Sequence, residues 1–267
     1  MMSLLSKLER IPGEMCRLPS HGIGYEQGVF ADDVTNGDVM VFPVSSYDEI
    51  ILKTPEKLLS GTAIYEVFKR RIPAIKQPEK LFHKDVDFLM TVLRKVSYGE
   101  EVQVTFNHEC KEDSKDHSYV VNISSLLQGT KRIDPTALSN TFTLENGQEV
   151  CMGTMLFSDM LELTQLRLKM MNQEIGETDD IILEYENTAC DAISRSIISV
   201  DDVTDKQQIK EWLFNVPIAY REALNVNIEE YNSSWGMSLD SISKCKDCGQ
   251  EISLRPTINP VSFFMLP

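Results

Sequence analysis

Near the end of the chain Cys245 and Cys248 stand two residues apart, with Gly249 directly after them and the strand-like Glu251-Ile-Ser-Leu254 next. Two thiolates at that spacing, in a turn tightened by glycine, supply half of a structural zinc site. A closed site takes four ligands, and the candidates for the other half lie far upstream, in Phe106-Asn107-His108-Glu109-Cys110 and at His117. Thiolate sulfur and imidazole nitrogen both suit Zn²⁺. The expected set is therefore Cys110, Cys245 and Cys248 with either His108 or His117, pinning together segments more than a hundred residues apart. Asn107 occupies the position three before Cys110, where a second cysteine would complete an upstream knuckle, and is a poor zinc ligand. The competing reading is a knuckle-shaped turn held by packing alone. Thioredoxin-like redox chemistry needs the cysteine pair at the start of a helix, where the helix dipole lowers a thiol pKa. Here a strand-like run follows and Pro256 forbids a long helix.

Other chemistries lack their residue sets. Zinc deaminases pair His-x-Glu with Pro-Cys-x-x-Cys, but His108 and Glu109 are adjacent and Lys244 stands where the proline belongs. The sequence contains neither His-Glu-x-x-His nor Gly-x-Ser-x-Gly, and Gly22-Ile-Gly24 lacks the lysine and helix of a phosphate loop. His21 sits in the turn and reads as a surface or capping histidine. These observations predict a protein that is not an enzyme and takes no small-molecule substrate.

The chain carries a formal net charge of −15 over 267 residues. That balance argues against a sequence-blind grip on nucleic acid, which needs a basic surface, and against anionic lipid. Six scattered cysteines suit a reducing compartment. No run reaches the roughly 18 apolar residues of a membrane span, and the first ten residues lack a signal peptide's apolar run, so the expectation is a protein made and kept in a cytosol.

The elements that must position the candidate ligands follow from spacing. Residues 14–45 read as an irregular β region, with Gly37-Asp-Val-Met-Val-Phe-Pro43 alternating as a half-buried strand. Ser46-Tyr-Asp-Glu49 has capping-box spacing and opens a short helix. Residues 62–71 form a second helix, stopped by Pro73, whose Lys69, Arg70 and Arg71 complement the helix dipole. Val86, Leu89, Met90, Leu93 and Val96 mark one face of a third, over 84–96. Strands at 102–106 and 118–123 flank the upstream half of the zinc site. Asn146-Gly147 between alternating runs predicts a hairpin over 140–152. Helices follow: an apolar one over 155–172 that is buried on two sides or covered by another chain, one after Asp179-Asp180 with the stripe Ile182, Tyr185, Ala189, Ile193 and Ile197, one opened by Thr204-Asp-Lys-Gln207, and a last one from Pro217 to about Tyr231. An apolar tail, Val261-Ser-Phe-Phe-Met-Leu-Pro267, closes the sequence.

Several stretches taken in order carry a family resemblance. They are Arg17-Leu-Pro-Ser-His-Gly22 with Tyr25, Gly37-Asp-Val-Met-Val-Phe-Pro43 running into Ser46-Tyr-Asp-Glu49, Leu59-Ser-Gly-Thr-Ala-Ile64, the helix Asp87-Phe-Leu-Met-Thr-Val-Leu-Arg94 ending in Ser97-Tyr-Gly99, and the terminal Cys-x-x-Cys. Together they resemble the baseplate hub subunit and hub assembly family of T-even-type contractile-tailed phages, over residues 15–127 and in the tail; residues 153–232 match by helical character. The resemblance implies a non-enzymatic protein that works through contacts with other tail and hub proteins, and it leaves open both the host cytoplasm during assembly and the finished tail baseplate as its place. The family's usual first knuckle has two cysteines, from which Asn107 departs.

The expected fold is α+β: an N-terminal β and helical part (1–100), a zinc-ribbon-like element begun by the first knuckle and hairpin (101–152), an inserted helical block (153–232), and a C-terminal knuckle and tail (233–267). A homo-oligomer fits the apolar 155–172 helix. The runner-up function is a zinc-ribbon adaptor for nucleic acid or a polymerase. It calls for basic knuckles, whereas Glu109, Glu112, Asp113, Asp116, Asp247 and Glu251 outnumber Lys111, Lys115, Lys244 and Lys246.

Overall fold

The computed structural model describes residues 12–54, 56–57, 60–110, 113–134, 139–172, 178–238, 241–245 and 248–254, with side chains outside 105–117, 167–169, 171–172, 178–181, 241 and 254. The first elements are β1 (Glu14–Arg17) and β2 (Asp38–Val41), paired antiparallel with Met15 opposite Met40. Alternation turns Val39 and Val41 into the core and Met15 outward. Three helices cover the inner face: α1 (Ser46–Leu52), α2 (Thr62–Arg71) and α3 (His83–Tyr98). Val86, Leu89, Met90 and Leu93 of α3 are buried as their spacing predicts, and Phe88 and Val92 are buried as well. With Leu18, Leu52, Val67 and Phe68 they make the largest apolar cluster.

The α1 capping box is displaced by one residue from its expected place. Ser45, not Ser46, is the cap: its Oγ accepts from the Asp48 N–H, and the Asp48 carboxylate accepts from the Ser45 N–H at 2.8 Å. The same shift occurs at α7 (Lys206–Asn215), where Asp205 rather than Thr204 is the cap and accepts from the Gln208 N–H at 2.9 Å.

β3 (Glu101–Cys110) and β4 (Asp113–Asn122) form an antiparallel ladder without a register break, longer than the two short strands expected. Asn122 caps a short helix, α4 (Ile123–Gln128), that follows β4 directly. The expected hairpin is present as β5 (Asn140–Thr143) and β6 (Glu149–Met152). A third strand, β7 (Ile197–Val200), joins it. Ile197 continues the spacing of the helical stripe, but α6 (Thr178–Ser196) stops one residue before it. Ile197-Ile-Ser-Val200 is rich in β-branched residues, which favour the pleated conformation once a partner strand is at hand.

With α6, α7 and α8 (Ile218–Ser234), that sheet builds a second cluster that includes Leu144, Val150, Met152, Cys190, Ile197, Ile209, Leu213 and Leu224, and α5 (Phe157–Asn172) packs against α6. Arg195 ties α6 to α5 through Asp159 at 2.7 Å and also pairs with Asp191, which Lys210 of α7 reaches at 3.1 Å. The chain ends as described in β8 (Ser241–Lys244) and β9 (Glu251–Leu254), an antiparallel pair. The arrangement is the expected mixture of helices with small antiparallel sheets. Among the described residues no helix is long and apolar enough to cross a membrane.

Candidate functional site

The Cys245–Cys248 segment sits at the turn between β8 and β9. The Cys245 N–H donates to Gln250 O at 2.8 Å, and the Gly249 N–H donates to Cys245 O at 2.9 Å with Gly249 at φ +72°, a left-handed conformation that favours glycine. Cys245 is buried and Cys248 exposed. Cys245 shares a buried cluster with Tyr119 and Val121 of β4, Leu126 of α4, Met237 and Ile252. The C-terminal turn therefore packs on the β3–β4 ladder, bringing together segments more than a hundred residues apart.

The upstream candidates are distributed along that ladder. Tyr119 pairs with Val104, Phe106 with His117, His108 with Lys115 and Cys110 with Asp113. Positions 104, 106, 108 and 110 alternate onto one face. His117 is two residues from Tyr119, whereas Cys110 lies six residues beyond Val104, about 20 Å along an extended strand at ~3.3 Å per residue. The side chains of His108, Cys110 and His117 lie outside the described residues. Among the described ones, no three His, Cys, Asp or Glu side chains group as metal ligands do.

Two buried polar centres went unrecognised in the sequence. In the first turn of α3, Asp85 is fully buried and accepts hydrogen bonds from the Ser20 N–H at 3.1 Å, the Ser20 hydroxyl and the Tyr25 hydroxyl at 2.6 Å. The Tyr25 hydroxyl in turn accepts from the Phe82 N–H at 2.9 Å. Arg132 donates to Leu18 O at 2.9 Å and to Arg17 O, closing the turn from the other side. Burial pushes the Asp85 carboxyl up to about 6, against the bonds from Ser20 and Tyr25 and the nearby charge of Arg132. Its neighbour His83 is buried with Nδ1 3.2 Å from Met155 O, and burial drives its pKa down to about 4.

The second centre is Asp48. Its carboxylate takes Arg70 Nε at 2.6 Å and Arg71 Nε in addition to the Ser45 cap. Burial alone would raise its pKa, but the Ser45 N–H and the two guanidinium groups outweigh that and hold it low. The basic end of α2 thus does more than complement a dipole: it neutralises a buried acid on α1. Arg70 also lies 4.8 Å over the Tyr47 ring. Both centres hold elements together. Ser20 and Asp85 have no histidine between them to move a proton, and both are inaccessible to a substrate.

Several large apolar side chains are exposed. Phe214 at the end of α7 is 41% exposed and Ile218 at the start of α8 is 77% exposed, four residues apart across Pro217. Tyr47 and Ile50 on α1 also face outward, as does Ile182, the first position of the α6 stripe.

A family model described as the T4 bacteriophage base plate protein matches residues 38–251. The match takes in β2, the three N-terminal helices, the ladder, the helical block and the Cys245–Cys248 turn. No curated protein and no solved structure matches the chain. With the family model spanning well over half of its length, the chain belongs to the T4-type phage baseplate protein family.

Proposed function

We propose that the protein is a non-enzymatic component or assembly factor of the baseplate hub, acting through contacts with other tail proteins. Membership of the baseplate family supports a structural or assembly role in the phage tail. The observation that carries the finer reading is the division of labour among side chains. Among the described residues, the buried Asp85, His83 and Asp48, groups able to do acid–base chemistry, are tied into hydrogen bonds and ion pairs between elements, while large apolar side chains such as Phe214 and Ile218 face outward. Outward apolar groups of that size suit burial by a partner. Affinity capture of the tagged protein from infected cells tests it: hub proteins should be recovered, and recovery of no tail or hub protein would end the reading.

We also propose that a structural zinc ion ties the Cys245–Cys248 turn to the β3–β4 ladder. The packing of Cys245 with Tyr119 and Val121 favours it, because that contact already brings the two segments together. Cys245 and Cys248 supply two thiolates, and His117, His108 and Cys110 are the candidates for the rest. When bound, the ion supplies cross-linking of the fold and no reaction.

A further inference from the structure

Two exposed surfaces of this chain complement each other in charge and apolar content. The first is on α1 and α2. Tyr47 and Ile50, three residues apart on one face of α1, are 58% and 63% exposed. The Arg70 guanidinium lies over the Tyr47 ring and engages Asp48 through Nε. Among the described residues, the two Nη groups of Arg70 and the Tyr47 hydroxyl make no hydrogen bond. Most other charges here have counterparts: Arg71 shares Asp48, Lys53 is 3.9 Å from Glu49, Lys57 is 2.8 Å from Glu66, and Lys69 is 3.6 Å from Glu79. Glu56, exposed between the helices, makes no ion pair among the described residues. Residues 46–71 still hold five basic residues against four acidic ones, a positive stretch in a chain of net charge −15. An aromatic, an aliphatic and an arginine side chain together have the composition of an interface anchor.

The second surface is the α7–α8 corner, where Phe214 and Ile218 are exposed. Each has an exposed acid on its own helix face, Glu211 three residues before Phe214 and Glu222 four after Ile218. Glu211 accepts from the Gln207 amide at 3.1 Å, and neither acid makes an ion pair among the described residues. The basic residues of these two helices are already engaged: Lys206 donates to Ile197 O, Lys210 to Asp191 and Arg221 to Glu186. Glu229 and Glu230 stand toward the other end of α8. The corner therefore presents apolar side chains beside carboxylates that no described cation neutralises.

We infer that the α7–α8 corner of one copy docks on the α1–α2 face of the next. Phe214 and Ile218 cover Tyr47 and Ile50, and the Glu222 carboxylate takes the open Nη pair of Arg70, a fork that fits a carboxylate with two hydrogen bonds. The occupant is a second copy because both halves of the contact are present on this one chain. The two surfaces differ, so each added copy leaves one of each kind open, and the assembly closes into a ring or continues as a chain rather than stopping at two.

Sedimentation velocity over a range of protein concentrations tests it. The parent protein should pass from one copy to multiples as concentration rises, and added salt should weaken that association. Tyr47→Ala with Ile50→Ala removes one surface, and Ile218→Ala with Glu222→Lys removes the other. All four positions are exposed, so circular dichroism should show both double variants folded. Alone, each should associate at least tenfold more weakly than the parent. Mixed, they should form a complex of one copy of each and nothing larger, because only one intact face and one intact corner remain. A parent that stays a single copy up to about 1 mM overturns the inference, as does assembly that either folded variant leaves untouched, or a mixture that stays monomeric. A monomeric parent that still captures hub proteins would leave the baseplate role standing and end this inference alone.

Discussion

The Tyr25 hydroxyl donates a 2.6 Å hydrogen bond to the carboxylate of Asp85, joining a turn near the start of the chain to the first turn of α3. The link explains why the stretch from Arg17 to Tyr25 has its particular residues. Ser20 presents both N–H and hydroxyl to the same carboxylate, and Gly22 packs against Gly37, where a Cβ would come within 2.6 Å of Gly22 N. The motif that reads as punctuation in sequence is a latch in three dimensions.

Because burial raises the Asp85 pKa to about 6 from the ordinary carboxylate value, the folded state keeps this proton better than the unfolded chain does. Stability contributed at Asp85 is thus greatest in acid and falls as pH rises from about 4 through 6. Asp85→Asn never ionises and escapes that loss. Its stability relative to the parent protein should rise by up to ~3 kcal/mol between pH 4 and pH 7, measured by denaturant unfolding at several pH values. A pH-independent difference would show that Asp85 ionises normally in the fold.

His83 has the opposite sign. Burial lowers its pKa to about 4, so the unfolded chain takes up the proton first as pH falls below ~6.5. Its stabilising effect is complete above pH 6.5 and is lost as pH drops toward 4. A His83→Asn variant should lack this loss, so the gap between parent and variant should shift by up to ~3 kcal/mol over the same window. The two slopes oppose each other, and the parent protein should show a flatter profile than either variant.

Asp48 anchors α1 to α2 through Ser45, Arg70 and Arg71 at once. Removing it as Asp48→Ala strands two arginines, of which Arg70 is partly exposed and can rehydrate, so the cost should be about 2–3 kcal/mol. Ser45→Ala removes only the cap and should cost about 1 kcal/mol. Since both changes break one network, the double variant should lose less than the sum. Additive losses would mean that the cap and the ion pairs are independent.

How far the fold could be read from sequence depended on whether the deciding partner was local. The α3 stripe and the Asn146-Gly147 hairpin stand where periodicity and turn chemistry put them, because the information lies within a few residues. The caps slipped by one residue for a tertiary reason: Ser45 and Ser46 are equally good caps, and it is Asp48 meeting Arg70 and Arg71 that selects Ser45. Asp85 was missed because an acid in a helix's first turn already has a sufficient local explanation in the helix dipole, and its true partners are in a loop 60–65 residues earlier. Ile197 continued a helical spacing but was claimed by the neighbouring strand β6. Of the zinc reading, the approach of the Cys245 turn to β4 was legible in the pairing of two strand-flanked segments. The length of the ladder was not, since Asn107 to Asp116 looks too polar for a strand until its cross-strand pairs are counted.

Metal content separates a clamp from a packed turn. The purified protein should hold about one zinc per chain, lost in Cys245→Ser and in Cys248→Ser. His117→Ala should lower zinc retention more than Cys110→Ser, because position 117 is two residues from Tyr119 while position 110 is six beyond Val104. Zinc measured by elemental analysis after dialysis against a chelator gives the answer. A metal-free parent protein that is folded would remove the clamp and leave the baseplate role intact.

The exposed pair Phe214 and Ile218 offers the sharpest test of function by contact. Neither side chain contributes much to the core, so Ile218→Asp should change folding stability by no more than about 0.5 kcal/mol. If a tail protein covers this surface, the same change buries a carboxylate in an apolar interface and should weaken capture of that partner at least tenfold. Val39→Asp is the contrasting control, since it places a charge in the main core and should unfold the protein outright. Unchanged partner recovery by a stably folded Ile218→Asp protein would show that the α7–α8 corner is not where the baseplate partner sits, and would shift attention to Tyr47 and Ile50 on the opposite half of the chain.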